Sequence, residues 1–222
     1  MGYLVTADDT EKRDTLLSWP RPSVSMADAD ELPRSVVMIA LAAESAGVFE
    51  AAGVPVIYCG VGKVNAAIAL TRELTRYSLH RQPMPRVINF GSVGSRCHDT
   101  GALVGCHEFV QRDMDVSGLG FALGVTPYDD TPSFLSFDPL FTDLPSAVCG
   151  SGDSFSTTDV AIDCAVVDME AYALAKVCWV HGASFGCAKY VTDGADHGAA
   201  NEWHRNVSNA AAEFLRLFRS IG

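Results

Sequence analysis

The chain has 222 residues, 48% of them hydrophobic, and 27 Asp plus Glu against 16 Lys plus Arg, for a net charge of −11. That length supports one well-buried domain, and the acidic balance argues against nucleic acid or an anionic membrane as partner. The sequence holds no apolar run of about 18 residues to cross a membrane and no basic-then-apolar start typical of a secretory signal.

Residues 1–34 are polar and broken by Pro20, Pro22 and Pro33. They read as an appendage, with a short helix over Thr10 to Trp19 and a solvated turn over Asp28 to Glu31. The first six residues formally match a myristoylation pattern, which is short and commonly accidental.

Regular patterning starts at Ser35, so residues 35–222 are expected to form the α/β domain. Val36 to Leu41 predicts a strand, Ala42 to Gly53 a short helix, and Val54 to Cys59 a second strand. Gly60-Val61-Gly62-Lys63 then turns into a helix over Val64 to Leu79. This turn fails both phosphate-loop tests, because Val64 follows the Lys and Asn65 replaces the third Gly. A strand over Val87 to Phe90 runs into Gly91-Ser92-Val93-Gly94, and another strand spans Leu103 to Gln111. Asp113 to Pro145 reads as a long irregular loop. A short strand over Ala147 to Cys149 precedes Gly150-Ser151-Gly152-Asp153. Apolar runs ending at Asp168 and Val191 flank a helix over Ala171 to Val180, stopped by Gly182. Ala199 to Ile221 reads as one amphipathic helix, with Trp203, Val207, Ala210, Phe214 and Leu217 on its buried face. Alternating strands and helices predict a three-layer α/β/α domain around a mixed, mostly parallel sheet.

In such a sheet, ligands bind at the carboxyl ends of the strands. Asp168, Glu170, Asp193 and Asp196 stand there at the ends of apolar runs that have no need of acids. Asp196 also fits as an N-cap of the following helix, and Glu44 as an acid in a helix first turn. Seven Cys lie scattered without a C-x-x-C pair, which suits buried, reduced thiols in a cytoplasmic protein. Cys97-His98 and Cys106-His107 fit no ordinary zinc spacing, so neither metal nor cofactor is expected.

Seven short motifs in order then carry a resemblance. They are Ile39 to Glu44, Gly60 to Ala67, Ile88 to Gly94, Asp113 to Val116, Ser151 to Phe155, Val167 to Ala171 and Thr192 to Asp196. Together they resemble the nucleoside phosphorylase/nucleosidase superfamily, and within it the methylthioadenosine/S-adenosylhomocysteine nucleosidases. The resemblance implies hydrolysis of the N-glycosidic bond of a purine nucleoside by a homodimer. It implies Asp193 as general acid, Glu44 as the water-activating carboxylate and Glu170 on the ribose hydroxyls, with Asp168 and Met169 beside them. Phe155 and Ser156 would meet the base, and Ser92, Val93 and Gly94 would line the wall near sugar and base. Lys189 falls where these nucleosidases carry an Arg near the water, and Arg112 where they carry a His. A phosphorylase of the same fold, with Lys63 or Arg96 on phosphate, and a non-catalytic nucleoside-binding module are the alternatives. The long loop, with Asp129, Asp130 and Phe121, Leu123, Tyr128 and Phe134, is expected to cover the 5′ end of the substrate and to disfavour a 5′-phosphate.

Overall fold

Strand β1 (Ser35–Ile39) lies between two parallel neighbours, β2 (Val56–Tyr58) and β3 (Arg86–Gly94). The computed structural model describes residues 32–155 and 161–221. The expected short helix and turn of residues 10–31, the terminal lipidation pattern and Ser156 lie outside them. Residues 33–222 make up one compact unit.

β3 pairs in parallel with β8 (Phe185–Asp193), and β8 pairs antiparallel with β4 (Leu103–Gln111). β4 continues in parallel to β6 (Ser146–Ser151), and β6 to β7 (Val166–Asp168). β7 then meets β3 again, antiparallel, through Gly94 and Val167. Five strands therefore close on themselves, and β5 (Phe134–Ser136) hangs antiparallel on the outer part of β4. The sheet is mixed, with the parallel pairings in the majority, as expected. Closure requires the strong twist that strands carry by their chirality. It brings the carboxyl ends of β3 and β7 together although the two strands run in opposite directions.

Alternation along the strands explains how both faces are buried. Val37 and Ile39 of β1, with Ile88 and Phe90 of β3, point to one side. There they meet Phe49 of helix α2 (Val48–Ala51) and Phe214 and Leu217 of helix α6 (Ala211–Ser220). Helix α1 (Ala42–Ser45) stands apart from α2, because Ala46 and Gly47 take left-handed conformations at φ 48° and 71°. The single helix expected there is thus two short ones. On the other side lie α3 (Lys63–Leu79) and α4 (Ala171–His181), the latter ended by Gly182 at φ 66°.

Two further expectations change. β3 does not stop at Phe90. It runs on through Gly91 to Gly94, because Gly91 to Val93 pair with Lys189 to Val191 of β8 and, after a one-residue register shift, Gly94 pairs with Asp193. The C-terminal amphipathic stretch breaks into α5 (Ala199–Asn206) and α6. Asn206, Ser208 and Asn209 sit at the break, and Asn209 donates to the Asn206 side chain at 3.2 Å. Short polar side chains of this kind compete with the helical backbone.

Phe90 sits at the centre of this packing, 5.0 Å from the Phe214 ring, 5.9 Å from Phe49 and 5.8 Å from Phe141. Phe90→Ala should lower the unfolding free energy by about 3–5 kcal/mol. The readout is a lower urea midpoint at unchanged slope; a loss below about 1 kcal/mol would show that the neighbouring rings close the gap.

Candidate active site

One cavity of about 220 Å³ opens at the meeting point of β3 and β7. Its wall takes Ala40, Leu41 and Glu44 from the end of β1, Ser92 to Gly94 from β3, and Thr192 and Asp193 from β8. Val167 to Glu170 enter from β7, Arg112 from β4, and Ser154 and Phe155 from the segment after β6. Val61 and Trp203 complete it.

Glu44 is 3% exposed and is met only by donors. Oε1 accepts from the Ser92 N–H at 2.8 Å and the Ser92 hydroxyl at 2.7 Å, and Oε2 accepts from the Leu41 N–H at 3.0 Å. The last bond is the helix first-turn role read from the sequence, and the first two add a second role that faces the cavity. Gly91 makes this geometry fit. A Cβ there would stand 3.2 Å from both Glu44 Oε1 and Lys189 Nζ.

Asp193 is 2% exposed. Its Oδ1 accepts from the Ala195 N–H at 3.0 Å. The Thr192 hydroxyl lies 2.8 Å from Asp193 Oδ2 and 3.2 Å from the Val93 carbonyl. A hydroxyl has one proton, and a carbonyl can only accept. The shorter contact has Thr192 donating to Asp193 Oδ2, and the Val93 carbonyl is the more distant acceptor of the same hydroxyl. Burial raises the Asp193 carboxyl above the usual range, and Glu202 and Asp196 add like charge, against the lowering by Thr192 and Ala195. Asp196 itself stays near the helix start, accepting from the Gly198 N–H at 2.7 Å.

Asp168 forms a buried ion pair with Lys189 at 2.8 Å. Asp168 also accepts from the Ser151 hydroxyl at 2.5 Å and the Ala171 N–H at 3.0 Å. Burial opposes its ionisation, but the Lys189 ammonium and these donors hold it below the usual range. Burial likewise opposes the Lys189 charge, and Asp168 outweighs it. Lys189 therefore lies beneath the cavity wall, locked to Asp168. Glu170 accepts from the Gly62 N–H at 2.8 Å. Burial first, and the neighbouring Asp168 charge second, push its carboxyl up to about 8. The Gly60–Lys63 turn does present an N–H to a carboxyl, and that carboxyl is the protein's own Glu170. Gly60 and Gly62 make the turn possible at φ 77° and 97°.

Lys63 and Arg96 are occupied away from the cavity. Lys63 pairs with Asp113 at 2.5 Å and Asp153 at 3.6 Å, and Arg96 donates to the Ala195 carbonyl at 2.9 Å. Asp153 in turn accepts from the Lys63 N–H at 2.8 Å, so these charges tie the segment before Phe155 to the start of α3. Among the described residues, no group of three or more His, Cys, Asp or Glu is placed to hold a metal ion.

A model of the phosphorylase superfamily matches residues 45–221. The chain belongs to the phosphorylase superfamily. A member from Geobacillus kaustophilus, a 5′-methylthioadenosine/S-adenosylhomocysteine nucleosidase, is 30% identical over 186 residues, which are 73% of this chain and 76% of that protein. Among solved structures, a futalosine hydrolase mutant of Helicobacter pylori superposes with a TM-score of 0.74 at 19% identity, covering 86% of this chain and 98% of that one. A mutant of the H. pylori methylthioadenosine/S-adenosylhomocysteine nucleosidase, holding 5′-methylthioadenosine in its active site, gives 0.72 at 20% identity, with coverage of 86% and 98%. At these identities the two structures speak for the fold.

In this superfamily member the structure gathers Glu44, Ser92, Val93, Gly94, Phe155, Asp168, Met169, Glu170 and Asp193 around one space. Lys189, expected near the water, is outside the cavity lining and pairs with Asp168. The long loop does not cover the cavity. Asp129 pairs with Lys176 of α4, and the Phe121 and Tyr128 rings pack on each other at 5.7 Å. None of Phe121, Leu123, Tyr128, Asp129, Asp130 or Phe134 lies in its wall. The loop is also not wholly irregular, since β5 and a 3₁₀ turn at Ser117–Leu119 lie within it. Sequence reasoning missed Trp203, whose helical spacing looked like that of a core residue. It noted Arg112 only as a departure; the Arg112 guanidinium donates to the Ser154 carbonyl and so backs the segment that carries Phe155.

A Cβ at Gly94 would stand 2.7 Å from Asp193 Oδ1. Gly94→Ala should therefore displace the Asp193 carboxyl and cut turnover by about 10²-fold with the fold kept; unchanged turnover with native circular dichroism would show that the carboxyl can move aside harmlessly. Glu170 gives a pH test. Its proton is held to about 8 in the native state, against an ordinary 4.5. Between these values the native state binds a proton that the unfolded chain has lost, so this group's stabilisation is lost as pH rises. Glu170→Gln should gain melting temperature relative to the parent between about pH 5 and about pH 8. An equal difference at both pH values would count against a buried neutral Glu170.

Proposed function

We propose that this chain hydrolyses the N-glycosidic bond of a purine nucleoside of the methylthioadenosine/S-adenosylhomocysteine class, releasing free base and sugar. The observation that carries the reading is the shared cavity of Asp193, buried so that it favours holding a proton, and Glu44, whose carboxylate meets only donors. In the step, the bond between the sugar C1′ and the base N9 breaks with its electrons going to the base. Asp193 gives its proton to N7 as the leaving purine gains charge. The sugar becomes oxocarbenium-like, as in other glycoside cleavages. Glu44 takes a proton from water as the water oxygen bonds to C1′. Glu170 grips the ribose hydroxyls, Met169 lies against the sugar, and Phe155, 47% exposed at the mouth, stacks on the base. Ser156 completes base recognition, and Ser92, Val93 and Gly94 form the wall.

Water is the acceptor rather than phosphate. Glu44 faces the cavity, Lys189 is taken by Asp168, Arg112 in the wall donates to Ser154, and Lys63 and Arg96 are engaged elsewhere. A phosphate dianion set beside an unneutralised carboxylate costs several kcal/mol. Leu41, Val61 and Trp203 in the wall support an uncharged, apolar 5′ group over a 5′-phosphate. A mere binding module has no need of both a protonated acid and a water-activating base. We assign the working form as a cytoplasmic homodimer. Val64 and Ile68 lie exposed four residues apart on one side of α3, which supports a subunit contact. Buried free thiols at Cys59, Cys106, Cys149, Cys178 and Cys187 suit a reducing compartment.

Methylthioadenosine, adenosine, inosine and AMP, assayed with and without phosphate, test the reading. Free adenine and free sugar, independent of phosphate, are expected; sugar 1-phosphate would establish phosphorolysis, and a preference for AMP would overturn the 5′ assignment. Asp193→Asn should lower kcat by about 10²–10⁴-fold in a folded protein. Glu44→Gln should fall comparably while still binding the nucleoside, and normal hydrolysis by that variant would reduce Glu44 to a helix-end acid.

A further inference from the structure

Helix α5 buries little apolar surface, with Ala199 its only deeply buried residue. Polar bonds fasten it instead to the ends of β8 and β3. Asn206 donates to the Thr192 carbonyl at 2.9 Å, and Glu202 accepts from the Gly194 N–H at 3.2 Å. The third bond reaches the catalytic centre. Trp203 Nε1 donates to the Ser92 hydroxyl at 3.0 Å, and that hydroxyl lies 2.7 Å from Glu44 Oε1. The His204 ring packs edge-on against the indole, centroids 5.1 Å apart, and helps fix its orientation.

The direction of this chain is fixed by chemistry. An indole N–H can only donate, so Ser92 Oγ is the acceptor of the first bond. The single Ser92 proton is then left for Glu44. Without the indole donor, the Ser92 hydroxyl is free to rotate about its C–O bond and give its proton to the cavity. Glu44 Oε1 would then keep only the Ser92 backbone N–H, and the carboxylate would lose one of the bonds that aim it.

Resting on the nucleosidase reading, we infer that Trp203 is a positioning residue for Glu44, acting through the Ser92 hydroxyl. The indole N–H sets the hydroxyl, and the hydroxyl sets the carboxylate that takes the proton from water. Trp203 also forms part of the cavity wall, but this inference concerns its N–H and not its bulk.

The test separates the two. Trp203→Phe keeps an aromatic wall and removes the donor. Replacing Trp203 by β-(3-benzothienyl)alanine keeps the bicyclic shape and removes only the N–H. Both should lower kcat for methylthioadenosine hydrolysis about three- to tenfold, the range of one neutral hydrogen bond, with KM within about twofold. In a Ser92→Ala background neither replacement should lower kcat further, because the link they cut is already gone. Unchanged kcat in the benzothienyl variant, a change in KM alone, or losses that add to that of Ser92→Ala would each overturn the inference. Absence of adenine release by the parent chain would instead count against the nucleosidase reading, so the two failures are distinct.

Discussion

The Lys189 ammonium is the charge on which this site depends. Glu44, Asp168, Glu170 and Asp193 converge on one small cavity, and isolated carboxylates in such a place are costly. A buried pair is weak as a source of stability, because desolvation consumes most of the attraction. Its effect here is on protonation. Lys189 neutralises Asp168 at 2.8 Å, and Asp168 in turn raises the cost of ionising Glu170 next to it. A Met at position 189 would leave Asp168 buried and unpaired, a change that typically costs about 3–5 kcal/mol.

Missing side chains matter as much as present ones. β3 ends in a run paired with β8, with a register shift between Val93 and Gly94, and Gly91 and Gly94 leave the space into which functional atoms project. At Gly91 the space is shared by Glu44 from α1 and Lys189 from the middle of β8. At Gly94 it holds Asp193. The closed ring of strands makes both approaches close, since Gly94 is also the residue through which β7 touches β3.

Local pattern made much of this legible. The apolar runs placed the strands, and acids at their ends marked Asp168, Glu170 and Asp193. What escaped depends on distant partners. The extension of β3 through its glycines is set by pairing with residues about 100 positions later in the chain. The ring closure has no signature in any one segment. Lys189 lies on a strand whose alternation places it inside, but only the fold pairs it with Asp168. Trp203 shares the spacing of Phe214 and Leu217, and periodicity does not distinguish a face packed on a core from one facing a cavity. The break near Asn206 and Asn209 separates the two cases, because it leaves Trp203 on its own short helix.

Environment then divides the labour among like side chains. Asp168, met by an ammonium and two donors, is kept charged and serves as structure. Glu170 has one backbone donor and a charged neighbour, and it stays neutral to about 8. Asp193 is raised by burial and by the like charges of Glu202 and Asp196, so it holds a proton more readily than an ordinary aspartate and has a cavity for that proton to leave into. Glu44 meets donors alone, so it is equipped to accept. The acid and the base of the proposed reaction are thus distinguished by surroundings, burial and like charge at Asp193 against close donors at Glu44, rather than by residue type.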